Sequence, residues 1–208
     1  MTIGNLNIFD VLLSIVSFII ALRAFWLYAQ IRGSRVLTLG IAMSMFALGS
    51  LASIATDTNI LSFQFSGSWF TSFAQVSGFV FIWLSSLRGS SDYLRSVLRW
   101  QLLTSVLVIF LLLLAPILPN TSDPLLSTVL TTFRGVACFL AFFRYVSLYT
   151  TKESRFSFLM MAAFALFTFG YVLIIPRYYI PSLTFLDDIG DILRLGGLAA
   201  LTLGYLAG

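Results

Sequence analysis

Val106-Leu107-Val108-Ile109-Phe110-Leu111-Leu112-Leu113-Leu114 is a run of nine consecutive apolar residues. It lies within a longer stretch, 97–118, of the length a helix needs to cross the hydrocarbon core of a bilayer, roughly 20 mostly apolar residues. Six further stretches share that character, and the spans are placed at 8–29, 36–56, 67–88, 97–118, 125–148, 156–175 and 185–206. Apolar residues make up 59% of the 208, and charged residues only 10%, against about 25% in a soluble domain. Such a chain has too few charges to cover a surface in water. The fold class is therefore all-α integral membrane, a seven-transmembrane helix bundle. The short connections leave no room for a soluble domain, so 1–208 is expected to form one membrane domain.

Charge sets the orientation. The connections 30–35, 88–99 and 149–155 carry Arg32, Arg35, Arg88, Arg95, Arg99, Lys152 and Arg155, whereas the other side carries Arg177 with Asp57, Asp123, Asp187 and Asp188. Cytoplasmic connections collect arginine and lysine, so the N-terminus is expected outside and the C-terminus inside. Trp69 marks the outer interface, and Trp26, Trp100, Tyr28 and Tyr149 the inner one. Pro116, Pro119, Pro124, Pro176 and Pro181 fall at outer helix ends, where a missing N–H costs little. Met1 to Asn7 has no basic residue, unlike a cleavable signal, so the first span reads as a retained helix. The expected location is a prokaryotic cell membrane, multi-pass.

The first and fifth spans are similar. Arg23, Tyr28, Ser34 and Arg35, followed by Phe46-Ala47-Leu48, match Arg144, Tyr149, Ser154 and Arg155, followed by Phe164-Ala165-Leu166, with small slips in the loop. Extended to the third and seventh spans, this gives two parallel three-helix repeats joined by one helix, a 3+1+3 pattern found in some transporters. In layout the chain resembles the SWEET sugar transporters, although it has no Pro-Gln pair and its prolines sit at helix ends. It also resembles rhodopsin-like bundles and the membrane modules that precede signalling domains. In the last case, an output domain is expected on a separate polypeptide.

The residues able to carry chemistry gather in the last span, Phe185-Leu186-Asp187-Asp188-Ile189-Gly190-Asp191-Ile192-Leu193-Arg194. Asp191 and Arg194 are three apart, on one helical face, with Asp187 one turn further out. Arg134 lies at comparable depth in the fifth span. A charge at the bilayer centre costs at least about 2.5–3.5 kcal/mol, so both arginines should turn inward and find carboxylates, chiefly Asp191. The cluster Arg134, Asp187, Asp191 and Arg194 is thus a pocket opening outward for an anionic or hydrogen-bonding ligand, or a relay, or a structural ion-pair lock. Gly196, Ala200, Gly204 and Gly208 recur every four residues and predict a ridge on which another helix packs closely. Phe139, Phe142 and Phe143 cluster in the fifth span, as contacts for a hydrophobic ligand or as ordinary lipid-facing and core residues.

The chain contains no histidine, which removes the usual ligand or base of haem, zinc and His-based nucleophile sites. Its one lysine, Lys152, is not in the last span, so the Schiff base of a rhodopsin-like pigment has no partner there. Gly190-Asp191 resembles part of the GxGD motif of intramembrane aspartyl proteases, but Asp188 replaces the first glycine and no other span offers a central aspartate. The lone cysteine, Cys138, reads as a small core residue. Asn120-Thr121-Ser122 is a glycosylation sequon best explained by chance. No enzyme, metal or cofactor is expected. Basic residues gather at helix ends, so the partners are the lipid bilayer and a membrane protein or a second copy, not nucleic acid. Two functions follow: a non-catalytic sensor module or accessory subunit of a larger membrane complex, and a small-solute transporter or channel. Spans 2, 4 and 6 have no charged residue in their cores, which favours the first.

Overall fold

The computed structural model describes residues 2–3, 6–57, 67–87, 89–114, 124–180 and 182–207. Among them are seven α-helices: α1 Ile8–Ile31, α2 Ser34–Asp57, α3 Gly67–Ser86, α4 Ser91–Leu114, α5 Pro124–Lys152, α6 Arg155–Ile174 and α7 Thr184–Ala207. A short 3-10 helix, Ile175–Tyr178, continues α6, and Thr2–Ile3 pairs antiparallel with Leu6–Asn7 ahead of α1. Five helices hold stretches long and apolar enough to cross a membrane: Asp10–Ile31, Ser34–Ala55, Ser91–Leu111, Pro124–Lys152 and Arg155–Tyr178. That is the signature of a helical membrane protein.

Two compact units divide the chain, Thr2–Thr121 and Ser122–Gly208. In the first, α2 is central: α1 and α3 pack on it, and α4 packs on α3 and α2. Met45, Phe70, Ala74 and Val108 form a buried core where α2, α3 and α4 meet. The Gln101 amide of α4 donates to the Thr38 carbonyl of α2 at 2.8 Å. In the second unit α6 is central, between α5 and α7, and the 3-10 helix touches all three. Its core includes the stacked rings of Tyr145 and Phe164, 5.6 Å apart.

Each unit opens with a helical hairpin closed by two residues. Arg32 takes the left-handed conformation (φ 53) and Glu153 does the same (φ 46). Their N–H groups donate back to Tyr28 and Tyr149 at 2.8 and 2.7 Å, which satisfies carbonyls left open at each helix end. Gly33 and Ser154 then start the next helix, with Ser154 Oγ accepting from Ser157 N at 3.2 Å as an N-cap. The aligned turn residues are therefore Arg32 with Glu153 and Gly33 with Ser154, without a slip. The expected pairing of Ser34 with Ser154 is one residue out of step.

The largest boundary shift is at α4, which starts at Ser91 rather than 97 and carries Asp92, Arg95 and Arg99 on the helix. Ser90 caps it, accepting from Tyr93 N at 3.3 Å, and Asp92 suits the positive end of the helix dipole. The fourth helix thus continues beyond its apolar stretch. Pro124 is the first residue of α5, and Pro176 lies in the 3-10 helix. Arg88, Pro116, Pro119, Asn120-Thr121-Ser122, Asp123, Pro181 and Gly208 lie outside the described residues.

The predicted ridge has a different period. Among the described glycines of α7, Gly190, Gly197 and Gly204 make the tight contacts with α6. A Cβ on Gly190 would stand 2.9 Å from the Gly170 carbonyl oxygen, one on Gly197 3.0 Å from that of Ala163, and one on Gly204 3.2 Å from Leu159 Cβ. Gly196 is looser, 3.5 Å from Leu166 Cδ1, and Ala200 is only half-buried. Steps of four drift by about 40° around a helix of 3.6 residues per turn, whereas steps of seven drift by only about 20°. A seven-residue series therefore stays on one seam.

Candidate functional site

The polar centre belongs to the second unit, where α5, α6 and α7 each contribute. On α7, Asp191 and Arg194 form an ion pair across one turn, their side chains only 11% and 12% exposed. The three-residue spacing brings the groups together. The close approach of α6, made through Gly170 and Gly190, keeps water from them: a Cβ on Gly170 would lie 2.7 Å from Arg194 Cγ. On α6, the buried Tyr171 presents its ring to two guanidinium groups. Arg134 Cζ lies 5.1 Å from its centroid and Arg194 Cζ 5.5 Å. Such contacts contribute up to about 2 kcal/mol each when desolvated, so Tyr171 stabilises both cations away from water.

Arg134 Nη2 also donates to Thr131 Oγ1 at 2.9 Å, and that hydroxyl shares a 2.9 Å hydrogen bond with Tyr178 OH of the 3-10 helix. Arg134, Asp191 and Arg194 are therefore brought together around Tyr171. Asp187 is not part of this inner group: it pairs with Arg177, nearer solvent, the side chains being 25% and 45% exposed. The two ion pairs form successive steps along α7, one partly exposed and one buried. Asp188 is exposed. Thr131, Tyr171 and Tyr178 were not singled out by sequence, because uncharged residues in an apolar span carry no pattern of their own. The neighbouring Gly170-Tyr171 pair was the available signal. Phe139 and Phe143 point outward, 46% and 55% exposed, as lipid-facing aromatic side chains do.

The first unit has a quieter polar lining. Ser53 Oγ donates to Asp10 Oδ2 at 2.9 Å, linking α2 to the first turn of α1. Thr71 Oγ1 donates to the Gly49 carbonyl at 2.7 Å. Ser17, Ser50, Ser72 and Gln75 are all buried.

In chemical terms, the second-unit centre can hold a charge out of water, or couple a charge change near the N-terminal end of α7 to the packing of that helix on α6. Comparison with protein-family models, with characterised proteins and with solved structures finds no match to this chain.

Proposed function

We propose that this chain is a non-catalytic membrane module, a sensor or an accessory subunit of a larger membrane complex. All seven helices cross the bilayer in a 3+1+3 arrangement, with the N-terminus outside and the C-terminus inside. The observation that carries this reading is the construction of α7. Its outer half bears Asp187, paired with Arg177 of the 3-10 helix, and the Asp191–Arg194 pair, and its length is seated on α6 along a seam of glycines seven residues apart. Close backbone packing along that seam joins α7 to α6 over its length, so an event at the outer charges is carried to the inner end of α7. At 24 residues, α7 is about 36 Å long, enough to cross, and two of its acidic groups are paired.

The test is extraction of the full chain in mild detergent. A stoichiometric membrane partner is expected, with retention that falls in Asp191→Asn. A chain that purifies alone, and whose proteoliposomes pass a solute, belongs instead to the transport reading. The matching two-residue hairpins of the two units favour that second reading, since parallel repeats are a transporter architecture.

A further inference from the structure

We infer that α1–α3 and α5–α7 are copies of one three-helix repeat, and that Ser72 and Gln75 are the first copy's counterpart of the Asp191–Arg194 centre. This equivalence rests on the 3+1+3 layout proposed above and is independent of whether the protein is a sensor, a subunit or a transporter.

The register begins in the first helices. Residues 121 apart match at Arg23 and Arg144 and at Tyr28 and Tyr149, and the left-handed Arg32 and Glu153 keep that separation. Ser14 and Gly135, Ser17 and Cys138, Ile20 and Ala141, and Ala24 and Tyr145 are buried in both. The same separation runs unbroken into the central helices. There Ala42 and Ala163, Phe46 and Phe167, and Gly49 and Gly170 are identical and buried, and Met43 with Phe164 and Ser50 with Tyr171 are buried in both; Phe46 thus pairs with Phe167, not with Phe164 as the sequence alone suggests. In the third helices the separation becomes 119, a two-residue change absorbed between the second and third helices. Every described residue of α7 that is buried then falls on a buried residue of α3: Gly190 on Thr71, Asp191 on Ser72, Gly197 on Gly78, Leu198 on Phe79, Leu201 on Ile82 and Gly204 on Ser85.

Any two amphipathic helices can be slid until their stripes coincide. Coincidence does not explain one separation serving two helices and the turn between them, nor does it explain the matching contacts. A Cβ on Gly49 would meet Thr71, 3.3 Å from its Cα, as one on Gly170 would meet Gly190. The Phe46 ring fills the space a Cβ would need on Gly78, and the Phe167 ring stands 3.2 Å from where one would lie on Gly197. Small residues seven apart line the third helix in both units, Thr71, Gly78 and Ser85 in one and Gly190, Gly197 and Gly204 in the other.

The equivalence gives the first unit a site of its own. Ser72 and Gln75 stand where Asp191 and Arg194 stand, Ser50 replaces Tyr171, and Leu13 replaces Arg134. Ser50, Ser72 and Gln75 are 0%, 5% and 3% exposed, and Ser50 Oγ has no hydrogen-bond partner among the described residues. Hydroxyls and an amide thus hold this level of the first unit without charge, where the second unit holds an ion pair.

Reciprocal exchange tests the equivalence. Gln75→Arg alone should lower Tm by on the order of 5–10 °C, since it buries a lone cation. Adding Ser72→Asp should recover at least half of that loss. In the other direction, Asp191→Ser alone should be damaging, and Asp191→Ser with Arg194→Gln should return close to the wild-type Tm. Where a single variant does not survive purification, its membrane-inserted yield against that of the double variant gives the same comparison. Recovery in both units supports the equivalence; recovery in neither, or in only one, overturns it. Partner retention by the wild-type chain reports separately on the functional reading and is not touched by either result.

Discussion

Replacing Asp191 with asparagine keeps the shape of the side chain and removes its charge. Arg194, 12% exposed at its side chain, would lose its carboxylate while staying out of reach of bulk water. Breaking a buried pair in this way costs about 3–5 kcal/mol. The asparagine oxygen still accepts a hydrogen bond, which returns roughly 1–2 kcal/mol, so the net loss centres on about 2.5 kcal/mol. For a chain of this length each kcal/mol moves Tm by about 2–4 °C, which gives a fall of roughly 5–10 °C. Asp187→Asn is the internal control. Its partner Arg177 is 45% exposed, and exposed pairs contribute about 0–1 kcal/mol, so its Tm should fall by no more than about 4 °C. Thermal unfolding of the purified variants in mild detergent, followed by tryptophan fluorescence, separates the two. A loss in Asp187→Asn equal to or larger than that in Asp191→Asn would refute the buried centre. Asp191→Leu with Arg194→Leu should recover much of the single-variant loss, because neither member of the pair then leaves the other without its counter-charge.

Three further outcomes are expected. Gly197→Leu should lower Tm and membrane yield more than Gly196→Leu, because a Cβ at 197 already stands 3.0 Å from the Ala163 carbonyl while 196 has room; equal effects would mean that the seam is not where α6 and α7 meet. Tyr171→Leu should destabilise by about 1–3 kcal/mol through loss of both ring contacts, and Tyr171→Phe by clearly less, as measured by the same unfolding assay. For topology, in a Cys138→Ser background an impermeant thiol reagent applied to intact cells should label a cysteine at the exposed Ser182 and spare one at the exposed Ser90; the reverse pattern would invert the proposed orientation.

Helix positions were legible because apolar length is a property of composition, and span and helix agree within a few residues at α1, α2 and α3. They part at α4, where the helix runs on through Asp92, Arg95 and Arg99 beyond the apolar stretch. Hydropathy marks the part that needs lipid, whereas capping by Ser90 marks where the helix starts. The Asp191–Arg194 pair was legible from its spacing alone. Tyr171 was not, since its part depends on α5 and α7 bringing arginines to one ring. The glycine seam is hidden in sequence, where a four-residue period is conspicuous, while the seven-residue seam is chosen by the neighbouring helix. The proposed repeat shows in sequence at Arg23, Tyr28, Arg144 and Tyr149. Its register needed the left-handed Arg32 and Glu153 to locate the turn.

The inequality of the two units bears on what the ion pair is for. With Ser72 and Gln75 at its positions, the first unit still brings its third helix to the central one through Gly49, Thr71 and Gly78. The packing of the repeat therefore does not require Asp191 and Arg194. A pair that only locked helices together would be an expensive substitute for a serine and a glutamine, because each charge must leave water and regain the cost through its partner and the Tyr171 ring. In the proposed repeat, its presence in one copy alone is the ground for proposing a task outside folding. The double variant Asp191→Ser with Arg194→Gln separates the two roles: it should keep Tm near that of the wild type and lose partner retention. If it keeps both, the pair is a tolerated ornament of the second repeat, and the sensor or subunit function has to be sought elsewhere in the chain.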